Sequence, residues 1–197
     1  MMTDKSAPSE NFAALMDANK HYSKTFDQSE LKPVPTKHFA ILTCMDARMD
    51  PYKFAGLNDG EAHIIRNAGG RATDDAIRSL IISHKFLGTL EWFVIHHTNC
   101  GMTLVTDEAI GDLLQHDLET AVHNGKCWVN PERQHSENTK PGSALGKNIE
   151  WHTFSDLRES VLNDINVIRN HELVPSHIKV HGFIFDIKSG KLSPVMD

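Results

Sequence analysis

Cysteine is scarce: three residues in 197, too few and too odd in number for a disulfide framework. A reducing interior, and with it a cytoplasmic location, is the expectation. Long apolar runs are missing as well. Nothing approaches the roughly 20 residues that a membrane span needs, so no membrane partner is expected. Positive charge is in deficit, with 20 Lys and Arg against 26 Asp and Glu and a net charge of −6. That leaves no electrostatic footprint for nucleic acid. The first residues, Met1-Met2-Thr3-Asp4-Lys5-Ser6-Ala7-Pro8, show neither the apolar core of a secretion signal nor the Arg-rich character of a transit peptide. Internal repeats and low-complexity tracts are absent. What remains is ordinary globular composition, 40% hydrophobic and 23% charged. The length suits one domain with a real core, so residues 1–197 are read as a single domain.

Periodicity then sets the class. Ser9 is placed to cap a helix carrying Phe12, Leu15 and Met16, an N-terminal arm over about residues 8–30. Phe39 to Cys44 is a short continuous apolar run, as expected of a strand buried on both faces. Glu61 to Arg66 is a weaker second strand and Glu91 to His96 a third. Between them, Ile77, Leu80, Ile81, His84 and Leu87 recur at helical spacing from Thr73 to Leu87, with Gly88 as the stop. A helix is expected from Thr106 to about His123, with Gly125 just beyond it. Residues 126–153 form a polar loop, and loops of that length are usually functional or mobile. Ser155 opens a helix carrying Leu157, Val161, Ile165 and Ile168. Ile178 to Ile187 alternates as a strand before the Ser189-Gly190 turn. Strand and helix in alternation predict an α/β domain with a mostly parallel sheet. Sites in such sheets form beyond the carboxyl ends of the strands.

Two motifs lie at those ends. Cys44-Met45-Asp46-Ala47-Arg48 follows the first strand, and His97-Thr98-Asn99-Cys100 follows the third. Two thiols and an imidazole make a borderline-soft donor set, for which zinc is the natural candidate. Three ligands and an undecided carboxylate, Asp46, suggest a site that opens to water rather than a closed structural one. A buried core cysteine and a surface Asp46–Arg48 ion pair are the plain alternatives. They do not explain why all five residues gather where the fold puts its site.

These motifs resemble those of the β-carbonic anhydrases. The resemblance covers most of the chain, through Ile65-Arg66-Asn67-Ala68-Gly69-Gly70, Asp75 to Ser79, His97 to Met102 and His181 to Asp186. It implies a sheet of about five strands, one Zn2+ per chain on Cys44, His97 and Cys100, and a homodimer or dimer of dimers. Asp46 either takes the fourth metal position or is held off it by Arg48, and these two residues are the implied catalytic pair. His96 stands where many members have Gly, and Asn99 where many have Asp. That version of the motif resembles a subgroup containing both anhydrases and hydrolases of carbonyl sulfide or carbon disulfide. The implied chemistry is water, activated at zinc, attacking a small linear carbon. Hydration of CO2 to bicarbonate is the default, carbonyl sulfide (COS) hydrolysis the alternative, and carbon disulfide hydrolysis or a non-catalytic zinc or thiol protein the further ones.

Other residues carry less. His96 either lines the pocket and shuttles protons or is hydrogen-bonded in the core. His84 reads as a packing residue and Cys127 as a bystander thiol. Arg66 and Asn67 either shape the pocket or, for Arg66, pair with a carboxylate between subunits. Trp128, Trp151 and Phe154 cover the pocket mouth or anchor the loop.

Overall fold

The computed structural model describes residues 8–132 and 141–196. Part of the expected polar loop, residues 133–140, lies outside them. Residues up to Pro33 and residues from Val34 onward form two separately compact units. In the first, Ser9 Oγ accepts from Phe12 N at 3.1 Å and caps α1 (Glu10–Thr25), none of whose residues is buried.

The second unit runs β1 (Phe39–Cys44), the single turn α2 (Pro51–Phe54), β2 (His63–Asn67), α3 (Asp74–Lys85) and β3 (Glu91–His97). It continues with α4 (Asp107–His116), the short pair β4 (Val122–His123) and β5 (Trp128–Val129), α5 (Leu157–Arg169), β6 (Lys179–Phe185) and β7 (Leu192–Val195). The main sheet has the order β2-β1-β3-β6-β7, the first four parallel and β7 antiparallel to β6. This is the expected mostly parallel five-stranded α/β sheet. After β1 the chain moves out to β2 on one side, and after β3 it moves to β6 on the other. The carboxyl ends of β1 and β3 therefore flank a topological switch point, where open sheets form crevices.

Strand alternation divides the core. Ala40, Leu42, Trp92, Val94 and Val180 meet Ile77 and Leu80 of α3 and Val161, Ile165 and Ile168 of α5. On the opposite face Ile41, Ile95 and Phe185 cluster with Met49, Leu57 and Ala62. A Cβ on Gly182 would lie 2.5 Å from both Ile165 Cδ1 and Val161 Cγ1. Glycine at that point lets α5 settle directly on β6.

Several boundaries differ from expectation. β2 starts at His63 rather than Glu61, because the Glu61 carboxylate is taken up in a turn by Asn58 N at 2.9 Å. α4 stops at His116, about seven residues early. Asp117 turns extended and its carboxylate accepts from Glu119 N at 2.6 Å. Gly125, at φ +94°, does not cap a helix but closes the β4–β5 hairpin. There Asn124 Oδ1 accepts from Lys126 N and Cys127 N, each at 3.0 Å. The cap of α5 is Asp156, not Ser155. β7 contains Pro194, which an edge strand tolerates because it needs no further ladder donor there.

Candidate metal centre

Cys44 ends β1, His97 ends β3, and Cys100 follows at the next turn. All three are buried, and their donor atoms lie within 4.8 Å of one another, a group able to hold a metal ion. His97 Nδ1 lies 2.9 Å from the Thr98 carbonyl. A carbonyl only accepts, so Nδ1 carries the proton and Nε2 presents a lone pair. That buried Nε2 has no hydrogen-bond partner among the described residues. Leaving such a group unmatched costs about 1–3 kcal/mol, which a metal bond would offset. Two sulfurs and one oriented imidazole lone pair fit zinc in type and in number for an open site.

The electrostatics of the group are uneven. Hydrogen bonding from Cys100 holds the Cys44 thiol down at about 4 against the cost of burial, helped by His97 and the amides of Asp46 and Gly69. The same contact pushes Cys100 up, because two adjacent thiols resist ionising together. Burial opposes a charge on His97, but contact with Cys44 outweighs it and leaves the imidazole more basic than usual.

Asp46 and Arg48 stand beside this group. Arg48 Nε and Nη2 donate to the two Asp46 oxygens at 2.9 and 2.6 Å, and Arg48 N donates to Oδ1 at 2.9 Å. Arg48 thereby holds the Asp46 carboxyl well below the usual carboxylate range. Asp46 Oδ2 is 3.7 Å from His97 Nε2. Arg48 Nη2 also reaches the carbonyl of Asn99 at 3.1 Å. Asn99 sits at φ +56°, a left-handed conformation that asparagine tolerates better than most residues. Arg66 donates to the Cys44 carbonyl at 2.9 Å and the Asp46 carbonyl at 2.7 Å, so it shapes the loop between them. Gly70, at φ +71°, packs so closely that a Cβ would lie 2.8 Å from Cys44 N.

His96 turns the other way. Its Nε2 meets Asp164 Oδ2 and its Nδ1 meets Ser160 Oγ, both at 3.1 Å, so it is a core-bonded histidine. Asp164 also receives Arg71 Nε and Nη2 at 2.9 Å each. Neither Arg71 nor Asp164 emerges from motif reading. A signal did exist for Asp164: it falls on the apolar stripe of α5, three residues after Val161 and four before Ile168. Arg71 offers none, since its partner is 93 residues away.

The remaining candidates are framework. His84 Nδ1 lies 2.7 Å from the Thr89 carbonyl, and Cys127 is exposed. Trp151 anchors its loop through Nε1 to the Gly146 carbonyl at 2.9 Å, and Trp128 packs edge-on against His123. Asn67 clamps the Arg71 backbone from both sides. Among the described residues no helix is long and apolar enough to cross a membrane.

Fold and donor group together define a mostly parallel α/β protein with a metal-competent cluster at its switch point. The family model for carbonic anhydrase matches residues 39–192. The chain is 38% identical over 177 residues to β-carbonic anhydrase 1 of Mycobacterium tuberculosis, covering 90% of this chain and 93% of that protein. It is 32% identical over 156 residues to a carbon disulfide hydrolase of Acidithiobacillus thiooxidans, covering 78% and 75%. Among solved structures, carbonic anhydrase from Streptococcus mutans superposes with a TM-score of 0.79 at 34% identity, covering 96% of this chain and all of that one. The chain belongs to the β-carbonic anhydrase family.

Proposed function

We propose that the protein catalyses the reversible hydration of CO2 to bicarbonate with one zinc ion per chain, held by Cys44, His97 and Cys100. The observation that carries this reading is the unpartnered Nε2 of His97, turned toward two thiols beside a carboxylate already engaged by Arg48. When bound, zinc supplies the Lewis acidity that makes a water nucleophilic near neutral pH. Arg48 holds the Asp46 carboxyl well below the usual carboxylate range, so Asp46 is too weak a base to take a proton from the water and acts as an acceptor that orients it. Arg48 grips both carboxylate oxygens and keeps Asp46 from closing the fourth metal position. The Thr98 carbonyl holds His97 in the tautomer that a metal requires.

Hydrolysis of carbonyl sulfide or carbon disulfide is the second reading. Carbon disulfide hydrolases that are 30–32% identical to this chain favour it. Water would add to the same kind of linear electrophilic carbon, and sulfide would leave. Hydration takes precedence because the β-carbonic anhydrase relatives are closer, at 38%. A paired assay decides: CO2 hydration by stopped flow, and sulfide release from COS and carbon disulfide. CO2 turnover without sulfide supports the proposal, and sulfide release without CO2 turnover overturns it. Failure of both, with zinc bound, would leave a non-catalytic zinc protein. The assembly that goes with this reading is a homodimer or dimer of dimers, supported by the exposed Phe12, Leu15 and Met16 of α1. Light scattering on the purified protein tests it, and a monomer would count against it. A cytoplasmic setting suits the free thiols Cys44 and Cys100.

A further inference from the structure

Asp164 lies outside the donor group, yet each of its bonds leads to a segment that carries a proposed ligand. Its side chain is 5% exposed and that of Arg71 is 12% exposed. Through Oδ2 it holds His96, which precedes His97 on β3. Through both oxygens it holds Arg71, which closes the Asn67–Arg71 turn. Gly70 of that turn packs against the backbone of Cys44. Arg71 Nη1 in turn donates to the His152 carbonyl at 2.6 Å, and the Phe154 ring lies 5.3 Å from its Cζ and 5.5 Å from the His96 ring. Phe154 N donates to the carbonyl of Met102, two residues after Cys100.

His152 adds a second observation. It stands at φ +57°, a costly conformation for a residue with a Cβ. The Asp107 carboxylate holds it there, accepting from Trp151 N at 2.7 Å and Thr153 N at 3.0 Å on either side. Its carbonyl is aimed at Arg71 as a result. Energetics point the same way. A buried ion pair is seldom more stabilising than an apolar pair of similar volume, so stability alone does not account for this one.

We propose that Asp164 is a positioning residue for the metal centre, fixing the segments that carry Cys44, His97 and Cys100 through Arg71 and His96. This rests on the zinc reading above. Two variants test it: Asp164→Asn, which keeps the shape, and Arg71→Met/Asp164→Leu, which removes the charge pair as a unit. If the first does not fold, the second decides, because it leaves no buried charge unmatched. Zinc affinity is measured by competition with a chromophoric chelator, and the visible spectrum is recorded after cobalt(II) replaces zinc. The expected result is zinc binding weakened by about 10–100-fold and shifted cobalt bands, in variants whose circular dichroism matches wild type. Wild-type affinity and bands in a folded variant overturn the proposal, even if that variant melts earlier. Failure of the wild-type protein to bind zinc or cobalt would overturn the zinc reading itself.

Discussion

His96 and His97 are consecutive on β3, fully buried, and point to opposite faces of the sheet. Around His96 every polar group is matched: Asp164 on one ring nitrogen, Ser160 on the other, and Arg71 across the carboxylate. Around His97 one nitrogen is matched and the other is left facing two thiols. The first cluster has the completeness of scaffold, and the second has the open donor set that the proposed zinc ion would use. Adjacent residues of one type thus sit in different surroundings, and the hydrogen-bond inventory, not the residue type, separates them.

The largest expected effect falls on the unmatched side. Cys44→Ser, His97→Ala or Cys100→Ser each reduces zinc from about one per chain to near zero by metal analysis, and activity disappears with it. Full zinc in any one variant would remove that residue from the ligand set.

On the matched side the loss is of stability. Asp164→Ala strands Arg71 and costs about 3–5 kcal/mol by denaturant unfolding at pH 7. Burial opposes the Asp164 charge, but His96 and Arg71 outweigh it and hold its carboxyl below the usual 3.8. A depressed carboxyl contributes stability above its unfolded value, and that contribution is lost as pH falls through the folded one. Wild-type protein therefore loses stability as pH falls below about 4, and Arg71→Met/Asp164→Leu loses less over that window.

Arg48→Ala releases Asp46 and is expected to lower hydration by about 100-fold with little change in melting temperature, since Arg48 is half-exposed. Unchanged turnover would end the orienting role of the pair. Gly70→Ala brings a Cβ against Cys44 N at a positive φ, costing about 1–3 kcal/mol in unfolding experiments. The smallest change is Arg78→Ala. It breaks an exposed pair with Asp75 and should shift stability by under about 0.5 kcal/mol.

Much of this was legible in the sequence. Continuous apolar runs placed β1 and β3, and the motifs at their ends put Cys44, Asp46, Arg48, His97 and Cys100 together at one end of the sheet. Helical periodicity found α3 and α5 because each buries a single stripe. The early end of α4 escaped notice because the break is made by the Asp117 side chain and the Asn124-Gly125 turn, which compete locally with an apolar pattern that runs on. β7 escaped because its pairing with β6 supplies what Pro194 and a short polar stretch do not. The Arg71–Asp164 pair joins segments 93 residues apart, and only packing brings them together.

X-ray absorption at the zinc edge of the purified protein tests the central claim most directly. Two sulfurs at about 2.3 Å, one imidazole nitrogen at about 2.0–2.1 Å and one further light atom are predicted. A first shell of three or more sulfurs, or one with no sulfur, would contradict the assignment of Cys44, His97 and Cys100.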